Sequence, residues 1–369
     1  MKKVNTEISE QVKEENKAVR SYMLDMIVML VAMAVVSIYT YGIRAFEIII
    51  LTLLTTVLTE ALEYIIFLHK KPERLMDLSA VFTGLAIALA GPSSSPLWMA
   101  PVGGFFAIAI AKIPFGNART TPFVPAAAGI AFLSVSYPEY MFTYPSLNIG
   151  SLKVPTDSVE FIAGDSLANM LSHSKSIGMT IINVFDVFVG RIPGPMGASC
   201  LLVMLGALIY MIIRKHPGVT TTVTFLATCS LMAVIFPRVL TGRTYSLLME
   251  LSAGLLFFAA IFFISDPVTS PKNQLGKVIY GFTAGVLTML FRYFGSLESS
   301  VCFVVLIMNA LSTLYEVWGQ KLDDRVQKIN LEKKSKPKKP KAKKKKKTIK
   351  ETFEAEGNVS DEGGILDNE

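Results

Sequence analysis

The residues best able to do chemistry in this chain sit where an apolar run breaks off. In FFISDPVTSPKN, residues 262–273, Ser265, Asp266, Thr269 and Ser270 crowd around two prolines, Pro267 and Pro271. A carboxylate and hydroxyls facing lipid would be costly. They belong either where a broken helix lines a polar site or in a loop cap at the membrane surface, and the residues leave both readings open. Glu60 and Glu63 stand three apart on one face of an apolar helix. That suits an ion path, a partner contact or a solvated interfacial face. Asn309, deep in the last apolar block, is expected to bond between helices. Gly84, Gly103, Gly104 and Gly285 are expected to let helices approach closely. Metal chemistry finds no support: Cys200, Cys229 and Cys302 fall in apolar blocks without a CxxC pair, and His69, His173 and His216 lie far apart in loops. No glycine-rich nucleotide loop opens a helix, and no acid–base or nucleophile constellation is present.

What must position these residues is the membrane helix. Of 369 residues, 51% are hydrophobic. Apolar blocks at 22–43, 45–68, 197–213, 219–236, 245–264, 275–291 and 300–318 approach or reach the ~20 residues that cross a bilayer. Shorter ones lie at 78–91, 97–113 and 122–136. The polar, mixed-charge residues 1–21 do not read as a signal peptide. HKKPER (69–74), RKHPG (214–218) and a late lysine run should all face the cytoplasm. Roughly ten crossings satisfy all three, although Arg44, Arg238, Arg243 and Arg292 then fall outside. The expectation is an all-α, polytopic membrane protein with both termini cytoplasmic. Its parts are a polar tail (1–20), a first membrane half (21–136), an extracytoplasmic loop (137–195), a second half (196–320) and a disordered tail (321–369). Residues 333–350 hold twelve lysines and no acid, and the last nineteen are acidic. That composition builds no core. It suits either attraction to anionic lipid headgroups or ribosomal RNA, or a solvated tail that fixes topology. No specific nucleic-acid partner is expected.

LSAVFTGLAIALAGPSSSP (78–96) and LSAGLLFFAAIFFISDPVTSP (251–271) resemble each other. Five crossings separate them, so the copies should run in opposite directions. Inverted repeats of this kind place broken helices around a site near the midplane. Chance likeness between two apolar strings is the alternative.

Four segments carry a resemblance to a known family: MDLSAVFTGLAIALAGPSSSPLWMAPVGGFFAIAIAKIPFG (76–116), TPFVPAAAGIAFL (121–133), FFISDPVTSP (262–271) and GKVIYGFTAGVLTMLFRYFGSLESSVCFVVLIMNAL (276–311). In order and spacing they resemble the D subunit of the Rnf electron transport complex. That protein is related to the B subunit of the sodium-pumping NADH:quinone oxidoreductase. The resemblance spans roughly residues 20–320. It implies two inverted five-helix halves and electron passage through bound flavin, coupled to Na+ or H+ movement. It implies partner subunits carrying iron–sulfur clusters and an extracytoplasmic flavin, in the cytoplasmic membrane, with membrane lipids as further contacts. Asp77, Ser79 and Thr83 match family positions and, with Asp266, Thr269 and Ser270, are the candidates to hold flavin or a cation. Glu60 and Glu63 are the ion-pathway candidates. The plainer reading of Asp77, Ser79 and Thr83 is an N-cap with helix packing.

The family usually ties FMN by a phosphoester to a threonine ahead of a Pro-Gly segment, here GRIPGPMGAS (190–199). Aligned on Leu167 and Ala168, that threonine position reads Asp165, which has no hydroxyl to esterify. Ser166 is a shifted acceptor candidate and Ser199 another. The main expectation is FMN or riboflavin held without a covalent bond. Two rival readings stand beside the redox one: a flavin-less small-solute or flavin transporter built on the same inverted repeats, and a membrane anchor for extracytoplasmic flavoproteins.

Overall fold

The computed structural model describes residues 2–66, 78–115, 120–145, 163–164, 166–171, 182–239, 242–295 and 298–335, with side chains in 2–18, 64, 66, 163 and 329–335 left aside. Twelve helices carry the fold: α1 Lys2–Tyr41, α2 Ile43–Ile66, α3 Ser79–Ala90, α4 Met99–Ala109, α5 Pro125–Ser136, α6 Leu201–Ile213, α7 Val219–Ile235, α8 Arg243–Ser252, α9 Leu256–Phe262, α10 Gln274–Phe294, α11 Ser300–Ala310 and α12 Ser312–Ser335. The sheet among the described residues is one antiparallel pair, Tyr144–Pro145 against Ala163–Gly164. Residues up to Asp324 pack as one unit, and Arg325 onward forms a second.

Among the described residues three helices are long and apolar enough to cross a membrane: Val19–Tyr41, Ile43–Glu63 and Gln274–Phe294. Two bent pairs, α8 with α9 (58°) and α11 with α12 (60°), raise this to five if each pair is one span. Five shorter apolar helices accompany them. The ten crossings expected from the sequence go beyond what these lengths establish.

Two short helices, α3 and α9, are the most buried. All seven residues of α9 are inaccessible, as are eleven of the twelve in α3. A helix apolar all round must be enclosed by other helices, and these two are the copies of the Leu-Ser-Ala repeat. α3 packs on α1, α2 and α5; α9 packs on α6, α7 and α11. α2 lies along α4 as α7 lies along α10. Between these groups α1 meets α6 and α5 meets α11. Both meetings are head to tail: Asp25 near the start of the α1 span bonds Tyr210 and Arg214 at the end of α6, and Ser134 at the end of α5 bonds Ser299 at the start of α11.

Close approach between helices needs glycine. A Cβ on Gly84 would lie 2.5 Å from Thr56 Oγ1, and one on Gly285 would lie 2.7 Å from Thr228 Cβ. Asn309 accepts from Tyr280 Oη at 3.0 Å, the interhelical bond expected of it. The loop GRIPGPMGAS closes α3: Met196 N–H and Gly197 N–H donate to the carbonyls of Gly91 and Leu89 at 3.0 and 2.7 Å. Those carbonyls would otherwise be orphaned at the helix end.

Candidate functional site

α3 starts at Ser79, directly after Leu78, whose left-handed backbone (φ 59°) turns the chain into the helix. α4 ends at Ala109, and the turn beyond it delivers Lys112. α9 gives out just before Ser265 and Asp266. These three ends converge on a recess of about 470 Å³, mouth included. Its apolar lining is Tyr22, Phe82, Phe123 and Phe262 with Met23 and Met26; its polar lining is Ser79, Thr83, Lys112, Thr121, Asp266 and Thr269.

The charges in and beside the recess are organised. Lys112 Nζ pairs with the Glu60 carboxylate of α2 and donates to Ser79 Oγ at 2.6 Å. Both charged side chains are almost wholly buried, at 3% and 4% exposure. Neither would be tolerated there without the other. Thr83 donates to the Ser79 carbonyl at 2.8 Å, so its hydroxyl hydrogen is used within α3. Asp266 caps its own turn. Its carboxylate accepts from Val268 N–H at 3.2 Å and from Thr269 Oγ1 at 3.1 Å. Burial nevertheless pushes this carboxyl up to about 6, against the pull of those hydrogen bonds. Beside Tyr22, His216 is 5% exposed and its ring meets the tyrosine edge-on at 5.9 Å. Its Nδ1 accepts from Gly218 N–H at 3.2 Å, and burial lowers it to about 4, so it is neutral at pH 7.

At the opposite end of the helices lies a second charged cluster. Arg238 holds Glu250 through two nitrogens, and Arg292 reaches Glu250 Oε2 at 3.3 Å. Arg292 also donates to the carbonyls of Glu250 and Ala253 at 2.7 and 2.6 Å. These carbonyls end α8 at the bend that Gly254 (φ +59°) makes before α9. Arg292 therefore supplies the donors that the broken helix lacks.

Of the residues singled out from the sequence, the recess gathers Ser79, Thr83, Asp266 and Thr269. Glu60 joins them through Lys112. Ser270 is buried beside them without lining the recess, and Glu63 is half-buried one turn along α2. Ser166 lies elsewhere: it is 3% exposed, its Oγ donates to the Glu298 carboxylate, and it accepts from Asn169 N–H at 3.0 Å. Asp77 and Asp165 lie outside the described residues. Sequence reasoning passed over Lys112. Its one signal was a lone lysine closing the apolar run AIAIAK. It also passed over the α1 contribution of Tyr22, Met23 and Met26, which no local pattern marks. Among the described residues no cluster of His, Cys, Asp and Glu suits a metal, and the three cysteines are free.

Comparison with known proteins fits this arrangement. The model of the NQR2, RnfD, RnfE family matches residues 8–322. Over 309 residues the chain is 30% identical to the D subunit of the proton-translocating ferredoxin:NAD(+) oxidoreductase complex of Clostridium ljungdahlii, covering 83% of this chain and 91% of that one. It is 27% identical over 317 residues to the Na(+)-translocating counterpart of Acetobacterium woodii, covering 85% and 93%. It is 31% identical over 304 residues to the D subunit of the ion-translocating oxidoreductase complex of Stutzerimonas stutzeri, covering 75% and 84%. This chain is a membrane protein and belongs to the NQR2, RnfD, RnfE family.

Proposed function

We infer that the chain is the D subunit of an Rnf-type, ion-translocating ferredoxin:NAD+ oxidoreductase complex, and that it holds a flavin in the recess at the Asp266 end. The observation that carries the reading is the convergence itself. Residues from two distant segments, 79–83 and 266–269, meet Lys112 around one cavity. The names of the relatives supply the reaction: electron transfer from ferredoxin to NAD+ coupled to proton or sodium movement.

The lining suits a flavin ring. Tyr22, Phe82, Phe123 and Phe262 offer aromatic surface for a planar ring system. Lys112 and the hydroxyls offer donors for its carbonyls and nitrogens. A phosphate is less well served. Glu60 already neutralises Lys112, and Asp266 adds a further carboxyl, so no positive charge is left over for a dianion. Riboflavin therefore fits the recess better than FMN. Bound there, a flavin would supply one- and two-electron transfer, and the protein would supply binding, orientation and electrostatics. Lys112 would be held in place by Glu60 and Ser79, and Phe82 and Phe262 would keep water off the ring. Ser166 is a poor phosphoester acceptor, because its buried hydroxyl already bridges Glu298 and Asn169. Ser199 stands two residues before α6 and donates to the Met196 carbonyl at 3.2 Å, as a residue of the helix entry does.

Ten crossings in two inverted halves are supported by the matched packing pairs and by the head-to-tail meetings of α1 with α6 and α5 with α11. Both termini then face the cytoplasm, and the recess opens toward that side, near Lys112, Arg214 and Lys215. Glu60 would stand on the ion path, one side chain behind the flavin, with Glu63 a turn nearer the surface. The test is direct. The protein, purified with its partner subunits after cofactor-replete expression, is acid-precipitated and both fractions are scanned for flavin absorbance. Riboflavin released to the supernatant is the expected result. Flavin fluorescence on this chain's own band in a denaturing gel of the pellet would place a covalent link on this chain, and a flavin-free band beside a supernatant without riboflavin would sink the redox reading.

A further inference from the structure

Lys112 Nζ is held by oxygens from two helices, the Glu60 carboxylate of α2 and Ser79 Oγ of α3 at 2.6 Å. The hydroxyls next to that ammonium are acceptors. Thr83 Oγ1, one turn along α3 from Ser79, donates its hydrogen to the Ser79 carbonyl at 2.8 Å. Thr56 Oγ1, one turn back along α2 from Glu60, donates to the Leu53 carbonyl at 3.0 Å. Thr52 Oγ1, a further turn back, donates to the Ile48 carbonyl at 2.7 Å. All three threonines are buried. A hydroxyl whose hydrogen goes to its own helix has only lone pairs left to offer. Thr56 Oγ1 offers them toward α3, since a Cβ on Gly84 would lie 2.5 Å from it. A buried carboxylate flanked by accepting oxygens suits a cation and repels an anion. The cation present is Lys112, and it belongs to neither helix. It reaches in from the turn after α4 on a flexible stem, and it also lines the recess.

We propose that Glu60 and Ser79 form a binding site for an alkali cation, which Lys112 occupies as a built-in competitor and vacates when negative charge in the recess draws it forward. A buried carboxylate is not tolerated alone. Once Lys112 turns to the recess, Glu60 must take up another positive charge. Hard cations take oxygen ligands of the kind that Glu60, Ser79 and Thr56 present, with water from the recess to complete the shell. The source of the negative charge rests on the flavin reading. Electrons from reduced ferredoxin would add charge beside Lys112, and one cation would enter for each net negative charge held there. When the electrons leave toward NAD+, Lys112 returns to Glu60 and expels the cation. Lysine suits this exchange because its ammonium is a point charge that swings on its stem, whereas the forked arginines at the other end are fixed by several bonds each.

The site is tested first without flavin. Lys112→Met, purified in mild detergent, is titrated with sodium chloride against choline chloride at constant ionic strength while thermal unfolding is followed. Expected is a saturable rise of the midpoint with sodium. It should be absent from the wild type, where Lys112 holds the site, and from Lys112→Met with Glu60→Gln, where the carboxylate is gone. Adding Ser79→Ala to Lys112→Met should raise the sodium concentration needed. Lys112→Gln, which keeps a polar end for Ser79, serves where the methionine variant does not fold. A midpoint indifferent to sodium, or raised equally in the Glu60→Gln double variant, would overturn the site. Stabilisation by acid alone would make Glu60 a proton carrier and overturn the alkali ion. The exchange is tested on the unaltered protein with its partner subunits, by titrating the reduction potential of its released-on-denaturation flavin at fixed pH. That potential should rise with sodium, and Glu60→Gln should flatten the dependence. A potential indifferent to sodium would overturn the exchange. A protein without flavin would sink the reading of the recess and leave the sodium titration of Lys112→Met to decide the site.

Discussion

The two ends of the helix bundle carry the same kind of charged cluster and use it differently. In the first half, α2 lays Thr52, Thr56 and Glu60 one turn apart, and Gly84 and Gly104 come close enough for a Cβ to touch Thr56 at 2.5 and 2.8 Å. The row ends in the Glu60–Lys112 pair, which opens on the recess. In the second half, α7 lays Thr221, Thr224 and Thr228 against Gly281 and Gly285 of α10. Beyond its end, Arg238 and Arg292 close on Glu250. The packing device is shared. The chemistry differs because lysine is a point charge with three donors, whereas arginine presents five in a fixed fork. The arginine cluster spends its spare donors on the backbone of a helix break and is sealed. The lysine cluster turns one donor to Ser79 and still faces a cavity. The same packing device thus ends in one cluster that ties the fold together and in another that lines a cavity.

The largest effect that tests this contrast is expected at the sealed end. Arg292→Met leaves Glu250 with one partner and two carbonyls at the α8–α9 bend unsatisfied. Breaking a buried ion network in this way costs about 3–5 kcal/mol. Thermal unfolding in mild detergent should therefore show a severe loss of folded protein. Arg292→Lys should rescue little, since one ammonium cannot reach the carboxylate and both carbonyls. Wild-type stability in either variant would remove the clamp from the comparison.

At the recess end, stability and binding should come apart. Lys112→Met alone strands Glu60 and should destabilise by about 3 kcal/mol. Adding Glu60→Gln removes the stranded charge and should restore much of that loss, a coupling of about 1–3 kcal/mol. Flavin content, measured on the same preparations, should stay low in both. If the double variant regains its flavin with its fold, Lys112 is a structural lysine and the two clusters are alike after all.

This split also marks what could be read beforehand. The membrane class, the apolar blocks, the glycine contacts and an interhelical bond for Asn309 follow from composition and spacing, because lipid forces those patterns on any sequence. Ser79, Thr83, Asp266 and Thr269 were legible as polar residues at helix breaks, where lipid cannot be their neighbour. Lys112 was not. A lysine at the end of an apolar run satisfies the same charge rule whether it snorkels to the surface or turns inward, and only the fold brings Glu60 to it. The arginines were read as exceptions to a topology rule, because nothing local shows that Arg292 will meet carbonyls 42 and 39 residues away in sequence.

The shared packing device predicts equal penalties in the two halves. Gly84→Ala and Gly285→Ala each force a methyl into an occupied position, at 2.5 Å from Thr56 and 2.7 Å from Thr228. Overpacking of this kind costs about 1–3 kcal/mol. Gly206→Ala, with nothing within 4 Å, should be neutral or mildly stabilising. A cost confined to one half, read by thermal unfolding, would break the equivalence of α2–α4 with α7–α10.

The smallest effect belongs to pH and distinguishes the ends once more. His216 has its affinity for protons lowered to about 4 by burial, from an ordinary 6.5. Between those values the unfolded chain binds more protons than the folded one, so its contribution to stability falls as pH falls. Asp266 is raised to about 6 from 3.8. There the folded chain binds more protons, so its contribution rises as pH falls. Each is worth about 1–2 kcal/mol at pH 5, and they oppose each other. Relative to wild type, His216→Gln should therefore gain stability on acidification from pH 7 to 5, and Asp266→Asn should lose it. Hydrogen exchange should place both changes near residues 216–222 and 265–271 and leave 249–254, at the other end of the helices, untouched. Variants that track the wild type over that range would mean that water reaches this end of the bundle freely, and that the recess is wetter than its lining implies.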